Sequence, residues 1–161
     1  MQHVVDWRFE GETCEDLSDQ HGPVLEAEAA RLLDLLAEGE AEDLGGPLEL
    51  SMLLTDDGGI QPLNAQWRGK DQPTDVLSFP LDEGPVLGDV VISLETAARR
   101  VQGDWTLDDE LLFLLVHGVL HLLGHDHEEE DERAVMEAAE QALWTALGRV
   151  GTLREPGDTG A

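Results

Sequence analysis

The sequence predicts an α/β (α+β) fold: one domain in which a small mixed sheet packs against helices around a central buried helix. Three observations predict it. Segments with helical apolar spacing alternate with short β-branched runs. The 161 residues suffice for one core and are too few for two ordinary ones. One segment, residues 107–123, is apolar nearly all round after its first turn, as a helix in the middle of a core is.

The elements follow in order. Residues 3–9 contain Val4, Val5, Trp7 and Phe9 and read as an opening strand. Residues 18–22 read as a turn or helix approach. From Val24, Leu25, Ala29, Leu32, Leu33 and Leu36 recur at helical spacing, and this helix fades by Gly39. After Gly45, Gly46 and Pro47, residues 48–55 read as a strand that Asp56, Asp57, Gly58 and Gly59 break. Residues 60–67 form a short helix ending before Gly69, and residues 70–74, with Pro73, form a loop. Residues 75–81 and 86–93 are strands, the second buried on both faces because Val90, Val91 and Ile92 run without a polar interruption. Residues 94–101 are helical and carry Arg99 and Arg100. Thr106 and Asp109 form a capping-box-like start for the apolar helix, with Asp in the usual place of Glu, and Gly124 ends it. Glu128, Glu129, Glu130 and Asp131 open a last helix reaching about Leu147, where acids suit the positive helix end. The domain is expected over residues 1–150, with a flexible tail over 151–161.

Composition narrows the function classes. Thirty-six acidic residues against nine basic ones leave a formal net charge of −27, a balance that argues against a generic polyanion binder. Hydrophobic residues still make up 41%, in periodic runs, so the acidity does not imply disorder. A salt-rich cytoplasm, with its short Debye length, is the expected setting for such self-repulsion. Cys14 is the lone cysteine and excludes an internal disulfide framework. The first ten residues lack the pattern of a secretory signal, and no apolar run approaches the ~20 residues of a membrane span. A cytoplasmic protein without membrane association is expected.

Four of the six histidines lie in the stretch His-Gly-Val-Leu-His-Leu-Leu-Gly-His-Asp-His, residues 117–127. His117 and His121, at i and i+4 on a helix, project from one face one turn apart. Gly124 lets the chain reverse, so that His127 swings back as a third ligand. Three imidazoles can share one Zn2+ at ~2.0–2.1 Å and leave a fourth position open, the arrangement of catalytic rather than structural zinc. Burying several imidazoles without such a partner has a desolvation cost that nothing offsets. His125 could compete as a ligand, but an exposed place or one behind the ligands is expected. Asp126 either orients a ligand ring or caps the next helix. The spacing also matches the long zinc-protease signature except at Gly118, which stands where the protease has its general-base glutamate.

A second signal lies in residues 63–80. Arg68 and Lys70, the latter the only lysine, share a loop beside a strand on a very acidic chain. Arg68 either pairs with a carboxylate or holds a phosphate through its planar guanidinium. Trp67 beside it is expected to pack within the fold, though an exposed ring there could stack on single-stranded RNA. Arg68, Lys70, Arg99 and Arg100 are expected to gather, at least in part, around the metal cleft.

Together the two stretches closely resemble the YbeY family of bacterial metal-dependent endoribonucleases and rRNA maturation factors. Residues 117–127 fit that family's His-Gly-x-Leu-His-Leu-x-Gly-x-Asp-His motif at every fixed position. Residues 63–80, followed by Leu87, Gly88, Asp89, Val90, Val91, Ile92 and Ser93, fit its other hallmark region. The resemblance implies one zinc ion on His117, His121 and His127, and Arg68 as an arginine important for activity. It further implies a single-strand-specific cut in RNA, processing of the small-subunit rRNA 3′ end and ribosome quality control. Lys70, Arg99 and Arg100 are candidate substrate contacts, and ribosomal small-subunit proteins are candidate partners. The residues leave the general base open among Asp126, His125, metal hydroxide and the RNA 2′-hydroxyl. A zinc peptidase and a ribosome-assembly module with structural zinc are the alternatives.

Overall fold

The computed structural model describes residues 2–151 and 153, so the tail expected over 151–161 falls almost wholly outside the described residues. Along the chain run β1 (Val4–Phe9), α1 (Glu15–Ala37), a 3-10 turn (Glu42–Leu44), β2 (Glu49–Thr55) and α2 (Asp57–Arg68). Then follow β3 (Val76–Glu83), β4 (Val86–Ser93), α3 (Leu94–Arg100), α4 (Leu107–Leu122) and α5 (Glu130–Ala146). The sheet order is β1-β2-β4-β3. β1, β2 and β4 are parallel, while β3 pairs antiparallel with β4 at the edge. The expected α+β architecture with a mixed sheet is the observed one. Among the described residues, no helix is long and apolar enough to cross a membrane.

The period of two along each strand sorts side chains to opposite faces. Leu50, Met52 and Leu54 of β2, with Val90 and Ile92 of β4, enter the main core beneath α1 and α4. Leu53 and Val91 point the other way, where Ile60 and Leu63 of α2 meet Leu77 and Phe79 of β3. This pleat explains why β4 reads as an unbroken apolar run. Gly88 in the same strand has φ 135°, and a Cβ there would lie 2.3 Å from the Phe79 carbonyl oxygen, so only glycine fits.

α4 begins with the full capping box. The Thr106 hydroxyl accepts from the Asp109 N–H at 3.2 Å, and the Asp109 carboxylate accepts from the Thr106 N–H at 2.9 Å. The helix is buried along nearly its whole length, and Leu111, Leu112, Leu114, Leu115 and Leu120 are fully enclosed. Each contributes ~1.5–3 kcal/mol of transfer free energy relative to exposure, which fixes α4 rigidly across β3 and β4.

Two element starts differ from expectation by three residues or more. α1 begins at Glu15 and runs through Pro23, so residues 18–22 are helix rather than turn. Tertiary contacts override the local signals there. Gly22 packs so tightly on Trp7 that a Cβ would lie 2.2 Å from its ring, and His21 Nδ1 lies 2.6 Å from an Asp108 oxygen on α4. α2 begins at Asp57, not at Ile60, because Asp56 is its N-cap and accepts from the Gly59 N–H at 2.9 Å. The other Asp56 oxygen accepts from the N–H groups of Glu12 and Thr13 at 2.7 and 2.9 Å. Burial alone would raise the Asp56 pKa, but the donors of Thr13, Glu12 and Gly59 outweigh it and hold the carboxyl below its ordinary value.

Candidate metal centre

The rigid α4 presents His117 and His121 one turn apart, with ring centroids separated by 4.8 Å. The helix then closes: the Gly124 N–H donates to the His121 carbonyl at 3.0 Å and the His125 N–H to the Leu120 carbonyl at 3.0 Å. Gly124 takes φ 101°, a value glycine tolerates and other residues rarely adopt. The reversal brings the His127 ring to 5.6 Å from His117 and 5.1 Å from His121. One ligand atom from each of the three lies within 4.8 Å of the others, so the expected triad is assembled. Among the described residues no fourth His, Cys, Asp or Glu joins this cluster.

The chemistry of the rings suits a cation. His117 is fully buried, and its Nδ1 lies 3.1 Å from Oε2 of the equally buried Glu140 on α5. A proton held on Nδ1 toward that carboxylate leaves Nε2 as the nitrogen His117 can offer a metal. The buried Nε2 of His121 has no hydrogen-bond partner, a cost that a bound ion would remove. Burial, with His117 and His127 nearby, lowers the His121 pKa to about 4, so its ring is neutral near pH 7 as a ligand must be. The three residues therefore fit a metal ion.

The neighbouring residues take definite places. Asp126 braces the turn, its Oδ1 accepting from the His127 N–H at 2.7 Å. It does not cap α5, whose cap position is Glu129. His125 points its Nε2 at Glu40, 2.6 Å away, and stands outside the triad. Gly118 faces the sheet: a Cβ there would lie 2.9 Å from Val90 Cγ1 and 3.1 Å from Ser78 Oγ, and the Ser78 hydroxyl donates to the Gly118 carbonyl at 2.9 Å. No room exists at this position for the glutamate of a zinc protease. A cavity of about 390 Å³ lies against His121 and is also lined by Pro80, Asp82 and Gly124.

The basic residues divide into two pairs. Arg99 holds Asp57 at 2.8 Å and Arg100 holds the buried Asp75 at 2.8 Å. Burial opposes ionisation of Asp57, but hydrogen bonds from Thr96, Ser93 and Arg99 prevail and lower its pKa. Arg68 and Lys70 are exposed and form no ion pair with any described residue. Glu140 went unread in the sequence, although a signal exists: it sits between Met136 and Trp144 on the buried stripe of α5. A carboxylate at such a position implies a buried partner.

A buried helix and its trailing turn, bringing three imidazole rings together on an α+β scaffold, fit the class of metal-dependent hydrolases. Comparison with known proteins narrows that class: the family model described as Endoribonuclease YbeY matches residues 16–148, and the chain belongs to the YbeY family. The Endoribonuclease YbeY of Paramagnetospirillum magneticum is 47% identical over 138 residues, 78% of this chain and 83% of that one. Those of Anaeromyxobacter sp. and Heliobacterium modesticaldum are 50% and 43% identical, covering 80% and 75% of this chain and 71% and 84% of theirs. The family expected from the two motifs is therefore the one found.

Proposed function

We propose that this chain is a metal-dependent endoribonuclease that cuts single-stranded RNA, acting in the cytoplasm on the 3′ end of the small-subunit rRNA and in ribosome quality control. The observation that carries the reading is the His117, His121 and His127 cluster, with the unpartnered Nε2 of His121, in a chain whose relatives are named endoribonucleases. Three nitrogen donors favour zinc, and one ion suits their spacing. When bound, such an ion supplies a Lewis acid for a phosphoryl oxygen and makes water more acidic.

The chain's own residues supply the rest. Glu140 holds the proton on Nδ1 of His117 and so fixes which nitrogen the ring offers. Arg68, at the end of α2 and without an acidic partner, binds the scissile phosphate and offsets charge growing on it in the transition state. Lys70 holds a neighbouring phosphate. Arg99 and Arg100 already face carboxylates, so their charge contributes less to RNA. Peptide hydrolysis is disfavoured because Gly118 leaves no place for an acidic base. Ribosomal small-subunit proteins are proposed as partners that present the RNA.

The test measures metal content of the purified protein and cleavage of small-subunit rRNA. Wild type is expected to hold close to one zinc per chain and to cut. His121→Ala should lose both properties, and Arg68→Glu should keep the metal and lose cleavage. Undiminished cleavage by Arg68→Glu, or cutting of casein in place of RNA, overturns the reading.

A further inference from the structure

The α2 side of the sheet is only partly covered. Beside α2 a groove of about 520 Å³ remains, floored by Leu53, Leu63 and Val91 and walled by Phe79 and Trp67. Trp67 is 63% exposed, against the expectation that it packs within the fold. Its ring meets Phe79 edge-on, at 5.9 Å and 71°, which leaves an indole face open. An exposed tryptophan over an apolar floor is costly in water unless something covers it.

Charge shows what covers it. Among the described basic residues, Arg68, Lys70 and Arg133 alone have no ion pair with a described residue, and the first two lie within three residues after Trp67. On a chain of net charge −27, an aromatic face beside two unpaired cations complements one kind of occupant, an aromatic ring joined to phosphates. The groove also continues toward the metal centre. Pro80 on the edge strand β3 lines both this groove and the cavity that contains His121, and Ser78, which lines the groove, is bonded to Gly118 on α4.

We propose that this groove receives the unpaired base next to the scissile phosphate of the RNA substrate, stacked on Trp67, while Arg68 holds that phosphate and Lys70 the adjoining one at the β3 edge, between the groove and the histidines. The site accounts for single-strand selectivity, because a base held in a duplex must first be unpaired and unstacked to enter the groove. This inference rests on the endoribonuclease reading, and its test is a binding measurement that needs no cleavage.

The zinc-loaded protein is titrated with a 2′-O-methyl oligoadenylate, checked on a gel for integrity, and with a duplex of the same length. Single-strand binding should quench the exposed indole. Trp67→Ala should weaken it about tenfold with the slope of log K against log salt unchanged, and Trp67→Phe should restore most of the affinity. Lys70→Gln should reduce that slope by about 0.7, as loss of one phosphate contact does. Duplex binding should be indifferent to Trp67. Trp67→Ala that melts like wild type and binds the single strand equally well overturns the proposal, as does an equal loss for single strand and duplex. Cleavage intact with unaltered affinity in Trp67→Ala sinks the groove alone. Absent cleavage with the tenfold loss present sinks the endoribonuclease reading and leaves the groove standing.

Discussion

The two faces of the sheet are built for different purposes. Under α1 and α4 the side chains of β2 and β4 are enclosed completely, whereas on the α2 face the buried apolar set is Ile60, Leu77 and Val91. The dense face holds the three clustered histidines, and the sparse one leaves a groove and an exposed indole. Groups that hold a metal must stay within tenths of an ångström of one geometry, and two of these histidines sit on the element with the least freedom, the third on the turn that closes it. A flexible strand of nucleic acid tolerates a softer platform. β3 joins the two, one side against α4 and the other against α2.

Substitutions can break or sharpen this contrast. The largest loss is expected at Gly118→Glu, which pushes a charge into Val90 and Ser78 and should cost about 4 kcal/mol, read as a fall in urea midpoint. Leu54→Ala on the dense face should cost about 3 kcal/mol in the same assay. Glu140→Ala should weaken zinc binding 10- to 100-fold, about 1.4–2.7 kcal/mol, in competition with a chromophoric chelator.

Smaller effects follow on the α2 side. Asp56→Ala removes the cap of α2 and should cost about 1.5 kcal/mol at pH 7. Because the folded pKa of Asp56 lies below its ordinary value, this contribution is present above about pH 4 and is lost as pH falls through the folded value. The gap between wild type and variant should therefore narrow in acid, which a melting series from pH 5 to pH 2 reads. Leu63→Ala should cost under about 1 kcal/mol, since its site is open to water and leaves no closed cavity. Equal losses at Leu54 and Leu63 would remove the distinction between the faces.

Much of the candidate metal centre was legible because its three histidines lie within eleven residues and obey helical periodicity broken by one glycine. The capping box and the unbroken run of β4 were legible for the same reason: cause and effect are adjacent in sequence. What escaped depends on partners far along the chain. The start of α1 is decided by Trp7 and Asp108, and Gly59 at the start of α2 is required because a Cβ would lie 1.9 Å from Thr55 Oγ1. Arg99 and Arg100 find Asp57 and Asp75, His125 finds Glu40, and His117 finds Glu140. Trp67 defied expectation because tryptophan is usually enclosed, and pattern alone does not show which face of a sheet is left thin.

The brace on His117 is carried by α5 rather than by the helix that bears the ring. Ion capture and the seating of this closing helix are consequently reciprocal: to whatever degree a docked α5 tightens the grip on a cation, the cation fastens α5 to the same degree. Metal starvation would then act first as a loosening at the carboxy-terminal end of the domain, exposing amides of α5 to exchange while β1, at the far edge of the sheet, stays protected.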